Sequence, residues 1–175
     1  MDLDPRCGSC LIPQAICSGL PIHLSPSCPG TPRRCKRTTQ QPSSGGVAPG
    51  ASVNDTDPAI SYAGTGWAYY PGRPASFGDL NNDVHATTSN GEWVSYTFTG
   101  ASISYVSEKS DGYGLVDVYV DDQFQQTVDA NAAGVHHQGG QVLFSKTGLS
   151  AGQHSIKLVK KSGVYMLLDA FVVQP

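Results

Sequence analysis

Apolar and polar residues alternate through most of the chain after residue 90. In residues 92–98, Val94, Tyr96 and Phe98 fall on one face while Trp93, Ser95 and Thr97 fall on the other. This is the period of two of a half-buried antiparallel strand. A break at Thr99-Gly100 leads to a second strand, and residues 115–120 then set Val116, Val118 and Val120 on one side. Asp121-Asp122 sits where a two-residue hairpin turn belongs, although Gly is the commoner second residue. Residues 123–129 form the return strand. Residues 141–145, 154–160 and 165–173 continue the series, with Lys161-Ser162-Gly163 closing a last hairpin. Upstream, residues 59–62, 67–70 and 83–87 read as shorter strands set in polar sequence. The pattern predicts eight or nine strands and no helix, an all-β antiparallel sandwich of two sheets with jelly-roll topology.

Composition agrees and adds a division. Of 175 residues only 14% are charged, and 20 Gly with 12 Pro suit a turn-rich β protein. Residues 1–50 hold all five cysteines (Cys7, Cys10, Cys17, Cys28, Cys35) and eight of the prolines, with no aromatic residue. Such a segment buries too little apolar surface to offset its ordering entropy. The expected organisation is therefore an irregular Cys/Pro-rich arm over 1–37, a flexible linker over 38–52 and the sandwich over 53–175. The arm carries a net charge of +3 and the rest −6. An acidic domain is a poor match for a nucleic-acid backbone. No apolar run has the roughly 18 residues of a membrane span. The opening Met-Asp-Leu-Asp reads as no secretory signal.

Cys7-Gly-Ser-Cys10 has the spacing of a metal or redox pair, but no second tight pair follows and His23 is isolated. The arm reads instead as a partly disulfide-linked or disordered tail, with self-association through it as a further expectation. No G-x-S-x-G elbow, H-E-x-x-H or phosphate-binding glycine loop occurs. Three polar stretches remain as candidates for a site. The first, 71–91, is long for a structureless loop and carries Arg73, Phe77, Asp79, Asp83 and His85. The second, 108–114, sets Tyr113 between glycines. The third, 131–140, carries His136 and His137. Adjacent residues on an extended chain point apart, so that His pair reads as solvated loop rather than shared metal ligands.

Several segments resemble carbohydrate-binding modules of families 6 and 35. The run 90–96, NGEWVSY, is similar to their "GDWVEY" strand. Gly148-Leu149 with 152–156, GQHSI, resembles their "L..G.HTI" entry, and 168–172, LDAFV, resembles their closing "lDyf.v" strand. The likeness spans about 120 residues and implies a galactose-binding-like β-sandwich of the kind appended to secreted glycoside hydrolases. It implies a structural calcium held between the first and last strands, with Asp169 at the carboxy end. The family's paired glutamates are missing at the amino end, where Asp55 and Asp57 are the nearest oxygen donors.

Sugars are held by stacking on aromatic rings while polar side chains take the hydroxyls. The resemblance therefore marks loop residues as ligand contacts: Tyr69, Tyr70, Arg73, Asp79, His85, Glu108, Asp111, Tyr113, His136 and His137. Tyr113 is the best exposed platform, whereas Trp67, Trp93, Tyr96 and Phe98 are assigned to packing. The expected function is non-catalytic binding of an extracellular or cell-surface poly- or oligosaccharide. The alternatives are an assembly module of a surface filament, or a polysaccharide-degrading enzyme using loop carboxylates.

Overall fold

The structure is a computed structural model and describes residues 50–175. The five cysteines, the arm and all but the end of the expected linker lie outside the described residues. In chain order the strands are β1 (Ala51–Asn54), β2 (Ile60–Ala63), β3 (Ala68–Tyr70), β4 (Val84–Thr87), β5 (Trp93–Thr99) and β6 (Ser102–Lys109). They continue with β7 (Leu115–Val120), β8 (Gln123–Asp129), β9 (Gln138–Lys146), β10 (Gln153–Lys160), β11 (Met166–Leu168) and β12 (Ala170–Gln174). The first strand begins at Ala51, two residues ahead of the boundary expected from sequence. Two short 3₁₀ turns, Ala75–Phe77 and Leu80–Asn82, sit in the long polar stretch.

Two antiparallel sheets, ordered β1-β12-β6-β9 and β2-β5-β10-β7-β8, form the sandwich. Their facing residues follow the alternation read from sequence. Ile103, Tyr105, Phe144 and Phe171 from one sheet meet Val94, Phe98, Val118, Ile156 and Leu158 from the other, all buried. Each such side chain contributes about 1.5–3 kcal/mol by leaving water. Trp67 packs against this core and Tyr96 stacks on Phe171 with ring centroids 5.6 Å apart, as their assignment to packing required.

A third sheet, β11-β4-β3, was not expected, and it corrects two readings. Residues 165–173 are not one strand. They divide at Asp169, after which the chain passes from the small sheet into the sandwich. Residues 166–171 are buried without interruption, so no single alternation could describe them. Met166 and Leu168 enter the main core, while Leu167 packs on Val84 and Ala86 in a second cluster. Residues 161–163 are accordingly not a hairpin turn, because β10 and β11 belong to different sheets. The glycine-rich stretch 131–140 is shorter than expected as a loop, since β9 takes in Gln138, Gly139 and Gly140.

Candidate functional site

The small sheet sorts the sequence candidates onto two faces. On β4, Val84 and Ala86 point one way and His85 the other. Pairing of Leu167 with Ala86 and of Tyr70 with Val84 completes an apolar floor with an aromatic edge. Tyr69, next to Tyr70, lies on the opposite face with His85. There His85 is stacked between Tyr62 and Tyr69, at 4.5 and 5.0 Å.

A cavity of about 160 Å³ opens above the floor, lined by Tyr70, Arg73, Val84, Ala86, Tyr113, His137, Tyr165 and Leu167. Its polar end is a closed network around one carboxylate. Glu108 is fully buried; its Oε2 accepts from Arg73 Nη2 and its Oε1 bonds His137 Nδ1 at 2.6 Å. Arg73 Nε donates to Asp79 Oδ2 at 2.5 Å. The Phe77 ring lies 3.9 Å from the His137 ring in a stack, with the Arg73 guanidinium 4.9 Å from its centroid. With Nδ1 committed to Glu108, Nε2 is the ring nitrogen that His137 has left for a ligand. The Tyr113 hydroxyl is pushed well above the usual phenol range by burial and by the Glu108 charge.

Gly139 allows the network to close. A side chain there would come within 2.6 Å of Asp79 Oδ1 and of the Phe77 carbonyl. The opposite wall is the tyrosine pair Tyr113 and Tyr165, edge to face at 5.9 Å. Two glycines, Gly114 and Gly163, bring their loops into backbone contact behind it. Lys160 fixes the second loop. Its buried Nζ donates to Asn90 Oδ1, Ser162 O and Gly163 O, at 2.5, 3.2 and 2.7 Å. Burial lowers its pKa, and no carboxylate is its partner.

Asp55 and Asp83 meet His85 and Tyr69 on the far face of the small sheet, and Asp169 and the Arg73-paired Asp79 adjoin them. Asp55, Asp79, Asp83 and Asp169 are all buried. Burial, then the charges of Asp79, Asp55 and Asp83, push the Asp169 carboxyl up to about 7, against the hydrogen bond from Leu80 N–H. Burial also raises Asp55, with Asp83 adding to it and His85 opposing. Asp83 accepts from Asn54 Nδ2 and, at 2.8 Å, from the Tyr69 hydroxyl. Three buried oxygens, Asn54 Oδ1, Asp55 Oδ1 and Asp79 Oδ1, have no donor. Among the described residues no three acidic or imidazole groups are arranged to hold a metal as they stand. The donor set is nevertheless all oxygen, and the orphaned atoms suit a hard cation.

The ten expected ligand contacts thus separate. Tyr70, Arg73, Tyr113 and His137 line the cavity, with Asp79 and Glu108 buried behind Arg73. Tyr69 and His85 belong to the acidic face. Asp111 and His136 are exposed and do not line this cavity. Of the expected calcium ligands, Asp55 and Asp169 adjoin, the backbone N–H of Asp55 donating to Asp169 O at 3.0 Å. Asp57 stands apart and closes a turn by accepting from Ala59 N–H. Sequence reasoning missed Tyr165 and the floor residues, although Leu167 inside an unbroken apolar run was a sign of a second buried face.

No protein-family profile matches the chain. Among solved structures, a family 35 carbohydrate-binding module from an environmental isolate is similar with a TM-score of 0.53 and 18% identity. The match covers 69% of this chain and 90% of that one. Residues 50–175 have the fold of a carbohydrate-binding module. An exo-beta-1,3-galactanase from Phanerochaete chrysosporium, solved with beta-1,3-galactotriose, matches at a TM-score of 0.51 and 21% identity, over 73% of this chain and 30% of that one. In sequence, 113 residues are 38% identical to the A type blood alpha-D-galactosamine galactosaminidase of Flavonifractor plautii. That alignment takes in 65% of this chain, and the chain spans about a tenth of the length of the relative.

Proposed function

We infer that the sandwich is a non-catalytic carbohydrate-binding module, working outside the cell, that holds a saccharide in the cavity on the small sheet. The observation that carries this reading is the joining of three tyrosines and an apolar floor to the Arg73–Glu108–His137 network in one opening. Aromatic walls take the apolar face of a sugar ring, and Arg73 and His137, which line the same opening, supply nitrogen donors for its hydroxyls. Glu108 supports binding rather than acid–base work, because both of its oxygens are engaged and it has no exposed surface. The names of the similar proteins favour a saccharide ligand: one is a carbohydrate-binding module and two act on galactose-type sugars. A calcium ion bound beside the cavity would draw on Asp55, Asp83 and Asp169 with Asn54 Oδ1, brought closer than they stand, and would neutralise the acids and set the position of the small sheet.

Calorimetry of the full chain against plant, algal and microbial glycans tests this. At least one glycan is expected to bind, and Tyr113→Ala is expected to weaken it about tenfold by removing the stacking wall. A correctly folded protein that binds no member of the panel would overturn the reading.

A further inference from the structure

The saccharide reading leaves open which sugars the cavity accepts, and its two ends answer that question differently. The floor is Val84, Ala86 and Leu167, three aliphatic side chains that form a buried cluster of their own beneath Tyr113. Val84 and Ala86 lie in the central strand of the β11-β4-β3 ladder, and the Leu167 carbonyl accepts from the Tyr105 and Ser107 hydroxyls. Nothing at the bottom can therefore hydrogen-bond a hydroxyl, and a hydroxyl pressed onto it would lose its water without compensation. A methyl group would gain from the same contact. The volume, about 160 Å³, is below the roughly 300–1,000 Å³ of pockets that enclose drug-sized ligands, and it suits a single ring.

The polar end contains an arginine but does not offer an unopposed positive charge. Arg73 is paired with both Asp79 and Glu108, whose side chains are fully buried, so these three side chains have one carboxylate more than they have cations. Asp55, Asp83 and Asp169 lie beyond it, and the module as a whole has twelve acidic residues against six basic. A ligand carboxylate or sulfate would have to displace one of two buried carboxylates from Arg73 or meet their repulsion.

We propose that this cavity selects a neutral sugar residue carrying a methyl-terminated substituent, with the methyl on the Val84–Ala86–Leu167 floor and the ring hydroxyls at Arg73 and His137. Acetamido, O-acetyl and 6-deoxy sugars share this chemistry, whereas uronic and sulfated sugars are rejected. The proposal rests on the saccharide reading but can fail separately from it.

Titration of the full chain with matched monosaccharide pairs separates the cases: N-acetylgalactosamine against galactose, N-acetylglucosamine against glucose, and D-fucose against D-galactose, with galacturonic and glucuronic acids alongside. Expected is about tenfold tighter binding of at least one methyl-bearing member over its partner, equivalent to about 1.4 kcal/mol. Whether the acetamido or the 6-deoxy pair shows it tells which substituent is read. The uronic acids are expected to bind more weakly than either member of a pair. Ala86→Val, which fills the floor, is expected to abolish the preference. Equal binding within every pair, or tighter binding of a uronic acid, overturns this proposal and leaves saccharide binding standing. No binding to any saccharide overturns both. The wild-type comparisons decide the matter even if Ala86→Val fails to fold.

Discussion

Asp121 and Asp122 both hold positive φ, 51° and 59°, in the two-residue turn between β7 and β8. This is the mirror-image turn whose twist matches a hairpin, and Asp tolerates the left-handed region better than most residues. Asp121 is further retained by what its side chain holds. Oδ1 accepts from Ser155 N–H at 2.8 Å and Oδ2 meets His154 Nδ1 at 2.7 Å, while His154 Nε2 bonds the Ser150 carbonyl. The Ser150 carbonyl, then Asp121, raise the His154 pKa. The Ser155 N–H, then His154, lower that of Asp121. A raised folded-state value makes the His154 contribution complete below its unfolded pKa, about 6.5, and lost as pH rises through the folded value. The depressed Asp121 contributes above about 3.9 and loses its share as pH falls through its folded value. The contact is thus strongest between about pH 4 and 6.5. Urea midpoints at pH 6 and pH 8.5 are expected to differ in the wild type by a step that His154→Gln removes. An identical step in the variant would show that the imidazole is not its source.

At the scale of elements, the cavity exists because two loops meet without side chains between them. A methyl at Gly114 would stand 2.2 Å from the Ser162 carbonyl oxygen, and one at Gly163 would stand 2.4 Å from Gly114 N. Val164 N–H donates to Gly112 O and Leu115 N–H to Ser162 Oγ across the same contact. Gly114→Ala is expected to part the loops, lower stability by about 1–3 kcal/mol and weaken glycan binding through loss of the Tyr113–Tyr165 wall. An unchanged denaturation midpoint would sink this account. None of that contact was legible in the sequence, where Gly112, Gly114 and Gly163 read only as turn residues. The strands of the main sandwich were legible, since one face of β5, β7 and β10 is core and the other is not. The small sheet was hidden for the opposite reason. β11 is buried on both sides and β3 is exposed throughout, and neither gives a period of two. The candidate site was half legible: tyrosines and ions in polar loops marked its rim, but the pairing of strands that puts Tyr69 and Tyr70 on opposite faces decides which of them reaches the cavity.

For the whole molecule, four buried acids beside the site raise the question of what offsets their repulsion. Asp79 has Arg73 and Asp55 has His85, but Asp83 and Asp169 meet only neutral donors. These acids join parts of the chain far apart in sequence. Asp55 follows β1, Asp79 and Asp83 flank the turn into β4, and Asp169 marks the crossing from the small sheet into the sandwich. An ion at their centre would therefore tie the cavity floor to the body of the fold, and its binding would add directly to stability as the ratio of its concentration to its dissociation constant grows. Millimolar calcium is expected to raise the melting temperature of chelator-treated protein by several degrees, with magnesium less effective because it demands a tighter octahedral shell. Asp169→Asn keeps the oxygen that accepts from Leu80 N–H while removing one charge, so the variant is expected to fold and to lose most of the calcium response. A wild-type melting temperature indifferent to both calcium and chelator would mean that the Arg73 and His85 pairs and the hydrogen bonds hold these acids without an ion.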